Sequence, residues 1–295
     1  MKTKVMFTLF LIGSIFFCGK GVEAKECYVV NNNGICISSS EYERLLNQGF
    51  FDFEIMNMSS DIYNSNKDLE AVNKTNTTKY VVDTYYYQGN KVYTSSREVT
   101  EEEYNSILPI CEKVPSNTRG ITNGFSETTG KRMDTTIIEY TNNLRYKVTL
   151  TWKVIPVTRS YDIIGIGLDG AKVYASGNQT FSQTYCVTAM TCSSSTTADI
   201  DTQYGGVGAA FKLPSGSYVF MSSYLYYDVS KRPSAGTITS TAAYGDYAHA
   251  TSNVTEGQAA NNYSMGYGGI GLFSTIAPYY DHMNEATAYW TGTWY

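Results

Sequence analysis

The residues best able to do acid–base or covalent chemistry are His249, His282 and the cysteines, and their spacing limits what they can do. His249 follows Asp246 by three residues in the run GDYAHAT. On a β-strand those two side chains point to opposite faces. His282 directly follows Asp281, which on a strand separates them in the same way. A general base must reach its nucleophile through a hydrogen bond, and neither run supplies a partner. The Gly-x-Ser-x-Gly nucleophile elbow is also absent from the sequence. No catalytic residue is therefore assigned. The enzymatic alternative is a secreted hydrolase whose site is assembled by tertiary contact of the histidines with Cys111 or a serine.

Metal and phosphate chemistry fare no better. Asp199 and Asp201 share one side of a strand and could offer hard oxygens to calcium. The rest of a calcium loop is missing, so a solvated strand end is the reading adopted. The cysteine spacing matches no zinc site. Gly205-Gly206 and Gly268-Gly269 lack the strand-to-helix setting of a phosphate loop and read as bulges or points of close strand packing. No cofactor and no metal are expected.

The cysteines instead point to staples. Cys27 and Cys36 bracket a turn at Asn32-Asn33-Gly34, and Cys186 and Cys192 close a short loop. Each pair is expected to form a local disulfide in an oxidising compartment. Cys111 is then left over, and a buried thiol is its default reading.

The compartment follows from the first residues. MKTK gives a positive start and VMFTLFLIGSIFFCG a single apolar run, which together read as a signal peptide over residues 1–24, cleaved after Ala24. Lipidation at Cys18 is disfavoured because Phe16 and Phe17 precede it. The run is shorter than the roughly 18 to 20 residues a spanning helix needs, so no stable transmembrane segment is expected. The remainder is read as secreted, extracellular or associated with the cell surface. The formal net charge of −5 becomes more negative once Lys2, Lys4, Lys20 and Glu23 leave with the leader. An acidic chain without a basic run is a poor nucleic-acid binder.

With 27 tyrosines, 25 glycines and 6 prolines, the composition favours sheets joined by tight turns. The residues that must position any site read accordingly. In RMDTTIIEYTNNLRYKVTLTWKVIP two strands flank Asn142-Asn143. Leu144, Tyr146, Val148, Leu150, Trp152 and Val154 define a core face, and Arg145, Lys147, Thr149, Thr151 and Lys153 a wet one. Further strands are expected in SYDIIGIGL, KVYASGNQTFSQTYCV, GGVGAAFKLP, SYVFMSSYLYYDV, TITSTAAYGDYAHATSNV, YSMGYGGIGLFS and ATAYWTGTWY. Earlier, Tyr80 to Tyr87 and Lys91 to Val99 form a hairpin about Gln88-Gly89-Asn90, and Thr100 with Glu103 makes a capping box for a brief helix. The fold class is mainly β, an antiparallel β-sandwich or open barrel with a small N-terminal helical hairpin.

That helical insert is SSSEYERLLNQGFFDFEIMNMSSDIYNSN, with Ser40 capping a helix from Glu41, Gly49 ending it, and a second short helix from Phe50. The arrangement resembles the helical pair near the start of many uncharacterised secreted β-rich proteins of low-GC Gram-positive bacteria. The resemblance implies a secreted protein and brings no activity with it. Residues 25–115 are expected to form an N-terminal α+β region and residues 131–295 the sandwich, divided by the polar stretch PSNTRGITNGFSETTG.

The aromatic clusters Tyr224, Tyr226, Tyr227, Tyr279, Tyr280, Trp290 and Trp294 are the candidate ligand-binding residues, because each ring joins an apolar face to a polar rim. The competing reading is cross-strand stabilisation, and with this many tyrosines most must serve it. The function expected is non-catalytic binding of a cell-surface glycan or protein, or a structural role at the surface. A third class, a β-pore-forming toxin, would turn TITSTAAYGDYAHATSNV into a membrane hairpin, but the face Ile238, Ser240, Ala242, Tyr244 and Asp246 is too polar for lipid.

Overall fold

The computed structural model describes residues 26–88, 91–107, 110–113, 125–188 and 191–295. The expected leader lies outside the described residues, as do the turn glycine Gly89 and most of the stretch expected to divide two domains. Along the chain the elements are β1 (Val29–Val30), β2 (Cys36–Ile37), α1 (Ser39–Asn47), α2 (Asp52–Met56), α3 (Ser60–Asn66), β3 (Asn73–Gln88) and β4 (Lys91–Val99). There follow α4 (Glu101–Ser106), β5 (Ile110–Lys113), β6 (Phe125–Glu139), β7 (Leu144–Trp152), β8 (Tyr161–Leu168), β9 (Val173–Thr188) and β10 (Thr191–Ser195). The last are β11 (Asp199–Gln203), β12 (Gly206–Lys212), β13 (Phe220–Lys231), β14 (Ile238–Ala250), α5 (Glu256–Ala260), β15 (Tyr263–Gly266), β16 (Gly269–Leu272) and β17 (Tyr280–Trp294).

Two antiparallel sheets make a sandwich. The larger runs β10-β9-β13-β7-β6-β3-β4, with β5 pairing to the stretch of β6 that β7 leaves beyond Lys131. The smaller runs β11-β12-β8-β14-β17. Strands on both sides of the expected domain division, β3 and β6, pair over their full length in one sheet. The inner faces meet through Tyr146, Val148, Leu150 and Trp152 of β7 against Ile164 and Ile166 of β8 and Tyr247 of β14. The apolar set of the period-two pattern on β7 takes this face, as expected. The sheets approach closely at Gly245, where a Cβ would collide with the Thr135 hydroxyl.

The opposite face of β7 corrects the wet-face expectation. Arg145 is 2% exposed and Lys147 and Thr149 are 1% exposed. The N-terminal helices lie over them, with Leu45, Phe50, Ile55, Met58 and Ile62 packed on Tyr224 and Tyr226 of β13. Alternation separates two faces of a strand but does not say which one water reaches. The helices themselves number three rather than two. Ser38, not Ser40, caps α1 and shares a capping box with Glu41, Gly49 takes a positive φ of 77°, and Ser59 caps a third helix after the short one expected from Phe50. Thr100 does cap α4, accepting from the Glu103 N–H at 3.2 Å, while the Glu103 carboxylate turns to Arg97.

YSMGYGGIGLFS, expected as one strand, is the β15–β16 hairpin, because Gly268 and Gly269 adopt φ of 97° and 98° and reverse the chain. It lies flat on the outer face of the smaller sheet, with Met265 and Ile270 over Gly165 and the Tyr263 ring over Gly208. Side chains at those glycines would hold the hairpin off. Both expected disulfides are present, Cys27–Cys36 closing β1–β2 and Cys186–Cys192 joining β9 to β10. Cys111 lies on β5, and its side chain is outside the described residues.

Candidate functional site

Most of the aromatic residues singled out in the sequence are part of the scaffold. Tyr224 and Tyr226 stack in parallel at 6.1 Å on the outer face of β13, edge-on to Phe50 and under the helices. The Arg145 guanidinium lies 4.4 Å over the Tyr226 ring and the Lys147 ammonium 5.0 Å from Tyr224. Tyr227 points the other way, into the sandwich, and donates to the Ile166 carbonyl at 3.0 Å. Tyr280 donates to the Tyr161 carbonyl at 2.8 Å, and the buried Trp290 indole donates to Glu139 at 2.9 Å with Trp294 edge-on beside it. Tyr224, Tyr226, Tyr227, Tyr280 and Trp290 are buried, in keeping with the cross-strand role expected for most of the tyrosines. Trp294 stays half-buried and Tyr279 exposed.

A different set of rings does face outward. Tyr204, Tyr267 and Tyr289 are 71%, 75% and 67% exposed. Tyr204 sits in the β11–β12 turn, its ring against Gly170, with the Arg232 guanidinium 4.6 Å above it and Tyr174 5.6 Å on from the same guanidinium. The next residue, Gly205, packs on the backbone of Met265 and Gly266, so the turn carrying Tyr204 lies against the end of β15, just before Tyr267. Tyr267 in turn lies 4.7 Å from the Tyr244 ring. Tyr289 is diagonal to Tyr244 across the β14–β17 ladder, where Ala242 faces Tyr289 and Tyr244 faces Thr287. Sequence pattern missed this set because two of the three rings stand in turns, where periodicity is silent. A tyrosine directly before a glycine, as at Tyr204-Gly205 and Tyr267-Gly268, was the available signal.

The histidines do not meet. His249 lies inside the sandwich with Nδ1 3.0 Å from Asp162 Oδ2, its ring edge-on to Trp152 at 4.9 Å. His282 lies on the opposite face of the β14–β17 pair, since Ala248 faces His282 and His249 faces Asp281. Its Nε2 is 2.9 Å from both oxygens of Asp246, which also accept from the amides of Tyr247 and Ile270. Burial alone would lower the His282 pKa, but the Asp246 hydrogen bond and charge outweigh it and hold the imidazole above its usual range. Asp246 reaches this side as expected, opposite in direction to His249. Asp199 and Asp201 sit exposed on β11, and no group of three or more metal-ligating side chains occurs among the described residues. β14 is hydrogen-bonded to β8 on one side and β17 on the other, so a membrane hairpin drawn from it would dismantle the smaller sheet.

Two ionic clusters are buried. Under the helices, Lys147 Nζ donates to Glu54 at 2.6 Å, to the Gly49 carbonyl at 2.9 Å and to Thr149 at 2.9 Å. Burial lowers the Lys147 pKa against the opposing pull of Glu54. Between the sheets, Lys131 Nζ lies 2.8 Å from Asp83 Oδ2 and 2.7 Å from Asp281 Oδ2. Lys131 and Asp83 come from adjacent strands of the larger sheet, and Asp281 from the smaller. Tyr85 and Ser96 each donate to Asp281 at 3.0 Å. Burial raises the Asp83 pKa, more than Lys131 lowers it, whereas Lys131 holds Asp281 below the usual carboxylate range despite burial.

No family model matches the chain, and no curated protein matches it. Among solved structures it is similar to the Streptococcus agalactiae AgI/II polypeptide BspA C terminal domain at 10% identity, covering 58% of this chain and 80% of that one, with a TM-score of 0.25. A chain described as BspA_C_mut matches at 8% identity over 72% of this chain and 83% of that one, with a TM-score of 0.26. Superpositions of that quality carry no argument about this protein.

Proposed function

We propose that this protein works outside the cytoplasm as a non-catalytic binding module that offers the Tyr204, Tyr267 and Tyr289 surface to a glycan. The observation that carries this reading is that these rings are largely exposed, Tyr204 in a turn packed on the end of β15, Tyr267 in the β15–β16 turn against Tyr244, and Tyr289 on β17 diagonal to Tyr244. Tyrosine faces stack on the apolar side of a sugar while their hydroxyls meet its polar rim. Rings held by Arg232, Tyr244 and glycine-cleared backbone lose little freedom on binding, which favours affinity. Two disulfides and the leader-like start of the chain support an oxidising location.

The test is a panel of immobilised oligosaccharides probed with the wild type and with Tyr204→Ala, Tyr267→Ala and Tyr289→Ala. Each lost ring contact is expected to remove about 0.5 to 1.5 kcal/mol, roughly a two- to tenfold loss of affinity, with unchanged circular dichroism. Absence of glycan binding, or binding indifferent to all three variants, would refute the reading.

A further inference from the structure

We propose that Lys131 and Asp281 become joined by an intramolecular amide bond that ties the two sheets of the sandwich together covalently. The amine and the carboxyl are held at 2.7 Å with neither able to move away, since Lys131 is fully buried and Asp281 nearly so. Reactants fixed in contact gain most of what a dilute reaction lacks, because the entropic cost of meeting is met by folding. Lys131 and Asp281 hold each other charged against their burial, so a proton must first move within the pair. The Trp152 and Tyr247 rings lie 5.5 Å and 6.0 Å from Nζ, and a dry site lowers the cost of the neutral amine and acid relative to the ions.

The surrounding groups fit the steps. A proton passes from the Lys131 ammonium to the Asp281 carboxylate, leaving an amine and a carboxylic acid. The Nζ lone pair adds to Cγ of Asp281, and the developing oxyanion is met by the Tyr85 and Ser96 hydroxyls that already donate to that carboxyl. Asp83, 2.8 Å from Nζ, takes a proton from the attacking nitrogen and delivers one to the departing hydroxyl. The N–C bond forms, the C–O bond breaks, one water leaves, and Asp83 ends as it began. Nothing is oxidised or reduced. The raised pKa of Asp83 suits a group that must carry a proton in a dry cavity. Its Oδ1 is buried without a hydrogen-bond partner, as befits a shuttle rather than a clamped electrophile. Water exits beside Ser96, an exposed residue of β4.

Asp281 is chosen over Asp83 as the electrophile because both hydroxyls donate to it at 3.0 Å, whereas the Tyr85 hydroxyl stands 3.5 Å from Asp83. The link would therefore run from β6 to β17, across the sandwich rather than along one sheet.

The experiment is the intact mass of the purified full chain, denatured and reduced, followed by sequencing of its tryptic peptides. The expected result is a mass one water below that of the linear chain and a branched peptide joining Lys131 to Asp281. Lys131→Arg should restore the full mass. Asp281→Asn should keep the same branched peptide but form it by loss of ammonia. A wild-type chain at its full linear mass would overturn the proposal, and so would a branch ending on Asp83. The decisive reading uses the wild type, so poor folding of a variant leaves the test intact.

Discussion

Replacing Glu54 with alanine should be among the most damaging single changes in the N-terminal region, although Glu54 lies on a five-residue helix. Its carboxylate accepts from Lys147 at 2.6 Å, from Thr149 at 2.9 Å and from the Phe51 amide at 3.0 Å, all away from water. Alanine leaves the Lys147 ammonium buried with only the Gly49 carbonyl and the Thr149 hydroxyl, and breaking a buried pair from one side typically costs about 3 to 5 kcal/mol. With a urea slope of about 3 kcal/mol per molar, the unfolding midpoint falls by about 1 to 2 M. The pH dependence has a definite sign. Without Glu54 the folded-state pKa of Lys147, already lowered by burial, drops further below its unfolded value of 10.5. The unfolded chain then binds more protons, so the variant gains stability as pH rises from that folded value towards 10.5. The double variant Glu54→Leu with Lys147→Met should recover most of the loss, because no charge is then stranded. Urea titrations across pH check all three statements. An unchanged midpoint in Glu54→Ala, or a double variant as weak as the single one, would show that the pair is not dry.

His282→Gln should weaken the protein only on the acid side. The raised folded pKa means its contribution is fully present below the usual value of 6.5 and is lost as pH climbs through the folded value, so wild type and variant should converge in urea titrations above it. Gly167→Ala would place a Cβ against the Gly266 carbonyl and push the β15–β16 hairpin off the sheet, costing about 1 to 3 kcal/mol and raising amide exchange across β15 and β16. Serine at both Cys186 and Cys192 should lower stability by about 2 to 3 kcal/mol, a loss that reducing agent exceeds in the wild type because Cys27–Cys36 opens too.

The period-two runs made the central strands legible. β7 and β8 start and end close to where their alternation does, and the Asn142-Asn143 turn falls between β6 and β7. Short-range cysteine pairs were equally open to reading, since six- and nine-residue separations leave few alternatives. What failed was information held at long range. Arg145 and Lys147 read as solvated because their partners Asp228 and Glu54 lie 83 and 93 residues away. The Lys131–Asp281 contact spans 150 residues, and its third member, Asp83, sits in a tyrosine-rich strand that pointed only to packing. Tyr267 escaped because a hairpin reversed by Gly268 and Gly269 looks like one glycine-rich strand when only composition is weighed.

The helices that roof the larger sheet come before it in the chain, and this fixes an order of assembly. Asn66 must find Tyr226, 160 residues further on, before that roof can seat. Loops this long close late, so the nucleus belongs to neighbours such as β6 and β7, whose turn needs only a few residues. Until β13 emerges, Arg145 and Lys147 remain hydrated and α1 to α3 have no floor to dock on. Desolvating those two cations thus becomes the final commitment of the chain, a latch that engages only when the strand bearing Tyr224 and Tyr226 has taken its place.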